Sequence, residues 1–224
     1  MIKKLRLFIG ELLVSYFKKK NGVIVYYNWD EGQKKAAKLI NGIRAEKTLC
    51  MKDNEAQQLY MLMRNTRKVE GDIAEVGCFM GASSKLICEL KGNTPFHVFD
   101  TFEGLPEDSE FGDYHKGTYK GAYEEVSQYL SKYPNVFLYK GLFPSTGKPV
   151  EKRKFSFVNL DTDLYSSTVK SLEFFYPKMS KGGVILTHNY HDAVGVRKAY
   201  DEFFKKRPEP LIELSGTHCL IVKV

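Results

Sequence analysis

The 224-residue sequence lacks several features that would place it in a common class of proteins. No apolar run reaches the ~18–20 residues that a membrane-spanning helix needs. Its four cysteines include no C-x-x-C pair, so we expect neither a disulfide framework nor a structural zinc site. We therefore expect a reducing compartment, the cytoplasm. No internal repeat or low-complexity linker is present.

Charged and aromatic residues, by contrast, are abundant. Lysine and arginine number 34 against 27 acidic residues, a net charge of +7, and there are 14 Tyr and 15 Phe. The basic residues are scattered, with short clusters at 18–20, 152–154 and 205–207, which indicates a solvated surface rather than nucleic-acid binding. A hydrophobic content of 43% excludes a disordered chain, and the length favours one large domain.

The N-terminal segment is the most apolar part of the chain. Residues 2–17 are interrupted by Glu11, lack a small-residue cleavage site and run into Lys18–Lys20, so a signal peptide is not expected. A basic amphipathic helix here would pack on the domain or on a second copy of the chain, and we expect a homo-oligomer. The alternative is contact with an anionic membrane surface.

Strand-like and helix-like segments alternate through the C-terminal two-thirds of the chain. The strands are predicted at 72–76, 96–100, 135–139, 155–160 and 183–187, and the helices at 82–91, 120–132, 165–177 and 192–206. This alternation is typical of a parallel sheet with helices on both faces.

The end of the chain breaks the alternation. Residues 210–214 and 218–224 are strand-like and only three residues apart, which predicts a hairpin and an antiparallel last strand. The α/β pattern therefore predicts a doubly wound seven-stranded sheet, the outline of the class I methyltransferase fold. Residues 1–70 look helical (1–18, 31–43 and 54–66) and are predicted to form an extension to a domain over 71–224.

A glycine-bearing turn follows the first predicted strand, in the sequence Glu75-Val76-Gly77-Cys78-Phe79-Met80-Gly81. Such a turn presents backbone N–H groups to a ligand. A dinucleotide fingerprint would need glycine where Phe79 stands, because the middle glycine lets the backbone approach a pyrophosphate. Glu75 would repel that pyrophosphate but would attract the ammonium group of S-adenosylmethionine. The turn thus favours S-adenosylmethionine over NAD, with a ligand-free tight turn as the alternative.

Acidic residues follow the next strands. Asp100 ends the second strand, where a carboxylate accepts hydrogen bonds from ribose hydroxyls or merely caps a turn. Asp161 and Asp163 end the fourth strand, two residues apart and on one face. Two carboxylates this close favour a bound cation, or a division into ligand and base. The alternative is that Asp163 caps the next helix.

The loop after the fifth strand, Thr187-His188-Asn189-Tyr190-His191-Asp192, shares the same edge of the sheet. Its carboxylate, imidazole and amide groups form an irregular set of ligands for a divalent ion. Mg²⁺ prefers oxygen ligands, whereas imidazole suits transition metals better. Here too Asp192 has a simpler interpretation, as a helix N-cap.

Residues 48–224 resemble the macrocin O-methyltransferase family, whose members methylate sugar hydroxyls on natural products. The resemblance rests on GDIAEVGCFMGAS (71–83), HVFDTFEGLPE (97–107), YKGLFPST (139–146), NLDTDLYSST (159–168), THNY (187–190) and GVRKAYDEFF (195–204). It implies an S-adenosylmethionine-dependent O-methyltransferase assisted by a divalent metal, Mg²⁺ or Mn²⁺.

The resemblance also implies roles for individual residues. Predicted cofactor contacts are Met51, Glu75, Gly77, Cys78, Phe79, Gly81, Ser83, Asp100, Thr101, Phe102, Gly141 and Asp161. Asp161, His188 and Asn189 are the predicted metal ligands, although many members carry paired acids where this chain has His188-Asn189. Asp163 is the predicted general base, and His191 the alternative.

The long polar loop over 105–123, with Tyr114, His115, Tyr119 and Tyr123, is predicted to shape the acceptor pocket. The acceptor is a sugar or a natural-product or glycan hydroxyl by resemblance, and a phenol remains open. Two other functions remain as alternatives. One is a methyltransferase-fold protein that binds the cofactor without catalysis, and the other is an NAD-dependent oxidoreductase.

Overall fold

The computed structural model describes residues 30–224. The chain divides into two compact units, residues 1–34 and 35–224, and the second contains the whole sheet. The helix predicted over 1–18, with its proposed oligomer or membrane contact, lies outside the described residues. The predicted boundary at residue 70 stays a prediction. Within residues 30–224, no helix is long and apolar enough to cross a bilayer.

The secondary structure alternates as the sequence predicts. The helices are α1 (Glu31–Glu46), α2 (Asp53–Asn65), α3 (Ala82–Lys91), α4 (Tyr123–Leu130), α5 (Tyr165–Phe175) and α6 (Val194–Phe204). The strands are β1 (Asp72–Val76), β2 (Phe96–Asp100), β3 (Val136–Lys140), β4 (Phe155–Leu160), β5 (Met179–Thr187), β6 (Ile212–Glu213) and β7 (Cys219–Val222). Short 3₁₀ helices cover Thr66–Lys68, Ser145–Val150 and Tyr176–Lys178.

The seven strands form one sheet in the order β3-β2-β1-β4-β5-β7-β6. The first five are parallel, and β7 runs antiparallel to both β5 and β6. The predicted seven-stranded sheet and its closing hairpin are therefore confirmed. Because the chain leaves β1 toward β2 but places β4 on the other side of β1, a crevice opens at the carboxyl ends of β1 and β4.

Alternating side chains of the strands build a core on each face of the sheet. Ile73, Val98 and Phe157 pack with α1–α4 on one face, whereas Ala74 and Val158 pack with α5 and α6 on the other. Every residue of β1 and β4 is buried, as expected for central strands covered on both faces. The sheet is therefore a rigid base for the loops at its carboxyl edge.

Several elements begin or end a few residues away from the predicted bounds, and the starts of α4 and β5 are two examples. The predicted helix over 120–132 begins only at Tyr123, because Gly121 lies so close to the carbonyl of Phe79 that a Cβ would be 2.3 Å away, and Ala122 is extended. β5 begins at Met179 rather than residue 183, since Met179 pairs with Phe155 before an irregularity in the register.

Candidate active site

A cavity of about 470 Å³ lies at the carboxyl edge of the parallel strands, in the size range of small-molecule sites. Its walls come from the α1–α2 connection, from the loops after β1 to β5 and from the β6–β7 turn. Two groups of residues share it. The loops after β1 and β2 form what we call the cofactor half, and the loops after β4 and β5 form the acceptor half.

The glycine turn after β1 is pressed against the loop after β4. Gly77 has φ +87°, and a Cβ on it would lie 1.9 Å from the carbonyl oxygen of Asp161. Gly81, with φ +79°, is the N-cap of α3. Phe79 between them also adopts a left-handed conformation, φ 50°. Only glycine fits at position 77, so this residue fixes how closely the two halves approach.

Asp100 holds the glycine turn in place through backbone hydrogen bonds. Its Oδ2 accepts from the N–H groups of Cys78 (2.7 Å) and Phe79 (2.9 Å), and its Oδ1 accepts from Phe102 N–H (2.7 Å). A carboxylate offers about four acceptor positions, so Oδ1 retains one for a ligand. The turn-capping interpretation of Asp100 is thus realised, and it is compatible with one further hydrogen bond from a ribose.

Glu75 lies beneath the glycine turn and not on the cavity wall. It is fully buried, and Asn159 Nδ2 donates to its Oε1 at 2.9 Å while Ser84 Oγ donates to its Oε2. Burial raises the pKa of this carboxyl to about 7, although the hydrogen bonds from Ser84 and Asn159 act in the opposite direction. The structure therefore places Glu75 where it supports the turn from below.

Most of the predicted cofactor residues meet in this cavity. Those on its walls are Met51, Gly77, Cys78, Phe79, Ser83, Asp100, Thr101, Gly141 and Asp161. Glu75, Gly81 and Phe102 are not among them; Phe102 packs edge-to-face against Tyr123. The roles assigned to these residues stay predictions.

Asp163 is the buried carboxylate of the acceptor half. It is 6% exposed, has φ 57° and lines the cavity. Asn189 Nδ2 donates a short hydrogen bond to its Oδ1. Burial, and then the charge of Asp161, raises the pKa of Asp163 to about 7. The alternative that it caps α5 finds no support, because Leu164 is the N-cap and no side chain bonds there.

His188 joins two carboxylates from distant parts of the chain. Its Nδ1 is 3.1 Å from Asp161 Oδ1, and its Nε2 is 3.4 Å from Oε2 of Glu55 on α2. Burial alone would lower the pKa of His188, but the charge of Asp161 and the hydrogen bonds to Asp161 and Glu55 outweigh it and raise the pKa to about 10. Because each ring nitrogen faces a carboxylate oxygen, this arrangement favours a ring that carries a proton on both nitrogens.

The predicted metal ligands do not fit a divalent cation in this arrangement. A metal-binding imidazole must offer an unprotonated nitrogen, and each nitrogen of His188 already faces a carboxylate. Asn189 directs its amide N–H₂, not its oxygen, toward Asp163. No group of three or more His, Cys, Asp or Glu side chains within residues 30–224 is arranged to hold a metal ion.

His191, the alternative base, is not brought to the cavity. It lies edge-to-face against Tyr190, and its Nε2 is 3.5 Å from Glu213 Oε2. Asp192 does reach the cavity wall and pairs with Lys52 at 3.8 Å. It is not a helix cap, since Ala193 is the N-cap of α6. Of the two residues predicted as bases, Asp163 lines the cavity and His191 does not.

The loop over 105–123, which follows β2, adds aromatic side chains to the cavity wall, and its predicted role in shaping the acceptor pocket stays a prediction. Tyr114 and Tyr119 line the cavity, with ring centroids 6.4 Å apart, and Tyr119 packs edge-to-face on Phe79 at 5.8 Å. The loop is closed by backbone hydrogen bonds between Leu105 and Thr118 and between Gly117 and Leu105, each 2.9 Å. It is therefore an ordered wall.

The sequence motifs did not identify every residue of the site. Thr217, in the β6–β7 turn, donates its backbone N–H (2.8 Å) and its hydroxyl (3.0 Å) to Glu55 Oε1. Cys50 and Lys52 also lie on the wall. The only signal available was that a hairpin turn preceding an antiparallel last strand lies at the carboxyl edge of the other strands.

The family model described as macrocin-O-methyltransferase (TylF) matches residues 47–219. A Streptomyces olivaceus protein named 8-demethyl-8-(2,3-dimethoxy-alpha-L-rhamnosyl)-tetracenomycin-C 4'-O-methyltransferase is 29% identical over 170 residues, which cover 66% of this chain and 64% of that protein.

A second relative is the demethyldecarbamoylnovobiocin O-methyltransferase of Streptomyces niveus, 27% identical over 157 residues, or 62% of this chain and 60% of the relative. The chain thus spans less than two thirds of the length of either relative. The solved structure of the O-methyltransferase NovP superposes with a TM-score of 0.66 over 77% of this chain and 82% of its own, at 22% identity. This likeness confirms the predicted fold class.

Proposed function

Because the chain belongs to the macrocin-O-methyltransferase family, we propose that it transfers a methyl group from S-adenosylmethionine to a hydroxyl of a sugar-bearing natural product or glycan. The observation that carries this proposal is a single cavity in which a glycine turn braced by Asp100 faces the buried carboxylate Asp163. The glycine turn with Asp100 suits a nucleoside-containing ligand, and Asp163 suits a hydroxyl that must lose a proton.

The cofactor half fits S-adenosylmethionine rather than NAD. Phe79 stands where a pyrophosphate would need a close backbone approach, and the left-handed turn brings its ring over the cavity. Asp100 Oδ1 retains an acceptor position for a ribose hydroxyl, and Met51 covers the cavity from the α1–α2 connection. When bound, S-adenosylmethionine supplies a sulfonium methyl group that an oxygen nucleophile displaces.

Asp163 acts as the general base in this proposal. The acceptor hydroxyl transfers its proton to Asp163 while its oxygen bonds to the methyl carbon, and the electron pair of the broken C–S bond stays on sulfur. A base of this kind contributes typically ~10²–10⁴-fold, most effectively when its pKa is near the working pH. Asn189 holds the carboxylate in position, and His191 takes no part.

The acceptor class rests on the relatives and on the aromatic wall. The first relative's name places its reaction on a rhamnosyl group, and the second's on a novobiocin precursor. Tyr114 and Tyr119 offer ring faces and hydroxyls beside the carboxylates, a surface suited to the apolar face and hydroxyl edge of a sugar. We therefore place a sugar hydroxyl ahead of a phenol.

The first test is a ligand titration followed by thermal unfolding. S-adenosylmethionine at a hundred times its dissociation constant should add ~2.7 kcal/mol and raise the melting temperature by roughly 5–11 °C, while NAD should not. Asp100→Asn is the matched variant, and it should weaken binding because it loosens the glycine turn. A shift with NAD alone would instead indicate an oxidoreductase.

The second test is turnover on a panel of rhamnosides, other deoxysugar glycosides and catechols. Methylation of glycosides supports the proposal, and methylation of catechols alone would move the acceptor class to phenols. Cofactor binding with no turnover on any acceptor would favour a binding protein that has lost catalysis.

A further inference from the structure

The side chain of His188, after β5, contacts residues of two other segments that are far from it in the sequence. Glu55 on α2 is separated from it by 133 residues and Asp161 after β4 by 27 residues. Glu55 is 1% exposed and His188 is 7% exposed. The imidazole therefore lies between two carboxylates, inside the cavity wall and largely shielded from solvent.

Glu55 is committed to this arrangement on both of its oxygens. Oε1 accepts from Thr217, and Oε2 accepts from Lys52 N–H at 2.6 Å as well as facing His188. Gly216 also approaches closely, since a Cβ there would lie 2.6 Å from Oε1. Glu55 already lines the cavity, but its oxygens could not turn to a metal ion without losing several hydrogen bonds.

The acceptor half needs one cation for electrostatic reasons. Glu55, Asp161 and Asp163 bring three carboxylates to one region, and Glu55 and Asp163 are nearly or fully buried. Buried carboxylates without a counter-charge are costly, so such a cluster holds a cation or becomes protonated. A metal ion would meet this need, and so does a protonated imidazole in contact with two of the three carboxylates.

Asn189 is the second residue at which this chain differs from the paired acids of many family members. A carboxylate at this position would add negative charge beside Asp163, whereas the amide donates a hydrogen bond to it. His188 and Asn189 together therefore replace two anionic groups with one cation and one neutral donor. Both changes lower the demand for an external cation at the same place.

We propose that the side chain of His188, held between Glu55 and Asp161, takes the place of the divalent cation that the resemblance implies, so that this chain methylates its acceptor without a bound metal. The inference rests on the proposed function and deepens it. The methyl group passes from sulfur to the acceptor oxygen, the displaced proton goes to Asp163 and then to solvent, and no metal-bound intermediate is needed.

The test measures metal binding directly, so it needs no acceptor. Mn²⁺ would be titrated into the full chain with S-adenosylmethionine present, and free Mn²⁺ would be followed by electron paramagnetic resonance. The wild-type chain should leave the free signal unchanged at micromolar Mn²⁺. The double variant His188→Asp/Asn189→Asp, which supplies paired carboxylates, should bind Mn²⁺ at least about tenfold more tightly.

The matched control is His188→Asn, which removes the imidazole but adds no carboxylate. Because it leaves the carboxylates without the imidazole but adds no ligand, its Mn²⁺ affinity should lie between those of the wild type and the double variant, and the loss of the His188 contacts should lower its melting temperature. If the double variant does not fold, the Mn²⁺ affinities of the wild type and of this control are compared instead. Tight Mn²⁺ binding by the wild type that Asp161→Asn abolishes would overturn the proposal, as would a folded double variant that gains no affinity.

Once an acceptor is found, turnover adds an independent measurement. Wild-type kcat/KM should agree within about twofold with a chelator and with added Mg²⁺, and a large loss on chelation would contradict the inference. Failure to bind S-adenosylmethionine would instead refute the proposed function and leave the Mn²⁺ result interpretable. The two failures are therefore distinguishable.

Discussion

Two buried histidines each contact an aspartate at opposite ends of the same sheet, and they behave in opposite ways. His97, near the amino end of β2, lies 3.0 Å from Asp72 at the start of β1. His188, after the carboxyl end of β5, lies 3.1 Å from Asp161. Burial lowers the pKa of His97 despite the contact with Asp72, whereas the pKa of His188 is raised.

The surroundings account for the difference. Asp72 is shared with Arg153 at 3.5 Å, and His97 is stacked against Phe137 and Tyr139, so its site is apolar and already balanced in charge. His188 faces two carboxylates. A histidine–aspartate contact therefore does not by itself indicate a charged histidine. The balance of nearby charges decides whether the pKa of the histidine is raised or lowered.

The largest expected effect is a loss of turnover on replacing Asp163, at the carboxyl edge of the sheet, and Asp72, at the amino edge, provides the comparison. Asp163→Asn should lower turnover by ~10²–10⁴-fold while cofactor affinity stays within a few-fold, because only proton removal is lost. Asp72→Asn should leave kcat unchanged and cost about 1–3 kcal/mol of stability. Steady-state kinetics and denaturant unfolding measure both. Normal turnover in Asp163→Asn would refute its assignment as the base.

The next effect is on stability. His188→Gln leaves Glu55 and Asp161 without their cation, and breaking a buried ion pair costs about 3–5 kcal/mol. His97→Gln exchanges one neutral hydrogen-bonding group for another and should cost about 1–3 kcal/mol. Urea unfolding at neutral pH gives both values. Equal losses of unfolding free energy in the two variants would contradict the difference between the two histidines.

The stabilisation contributed by His188 and the stabilisation contributed by His97 should change with pH in opposite directions. The pKa of His188 is raised to about 10, so its stabilisation is complete below about pH 6.5, the unfolded value, and is lost as pH rises through about 10. The pKa of His97 is lowered, so its contribution is present above about pH 6.5 and is lost as pH falls.

The measurement is the difference in unfolding free energy between the wild type and each Gln variant, followed from pH 5 to 10. Taking differences cancels the titrating groups that do not interact with the replaced histidine, whereas the pKa changes of Asp163, Glu55 and His218, which interact with His188, remain in its difference. A wild-type advantage over His188→Gln that grows with rising pH would contradict the imidazolium assignment.

The smallest expected effect concerns the aromatic wall. Tyr119→Leu should raise the KM for the acceptor by about 2- to 10-fold, since an aromatic contact contributes ~0.5–1.5 kcal/mol, and should leave kcat nearly unchanged. Phe137→Leu, which removes a ring stacked on His97 at the other end, is the control and should leave KM unaltered. Acceptor saturation curves would show whether the loop contacts the acceptor.

The sequence predicted the strands and the strand ends well, for a simple reason. Buried parallel strands are apolar runs bounded by turns, and their carboxyl ends meet at one edge, so Gly77, Asp100, Asp163 and His188 were expected to lie together. What it could not predict was which partner each side chain chooses. Nothing in the spacing indicates that Glu55 would reach His188.

Two other side chains, those of Glu75 and His191, point in directions that the sequence did not predict, for the same reason. Glu75 turns beneath the glycine turn because Ser84 and Asn159 offer buried hydrogen bonds there, and His191 turns toward Glu213. A strand end specifies the edge of the sheet, whereas the direction of a loop side chain depends on contacts from other segments. Those contacts come from residues that no local pattern connects.

The reversal of β7 has a consequence for how the protein is made. Because β7 runs antiparallel, the turn before it lies beside α2, where Asn54 and Gln58 donate to the carbonyl oxygen of Ser215 and Thr217 bonds to Glu55. During synthesis, α2 leaves the ribosome long before this turn does. Arg44 holds residues 49–53 from within the same part of the chain, but the contacts of α2 with the hairpin turn cannot form until residues 215–217 have emerged. A nascent or prematurely terminated chain would consequently hold a sheet without a finished site.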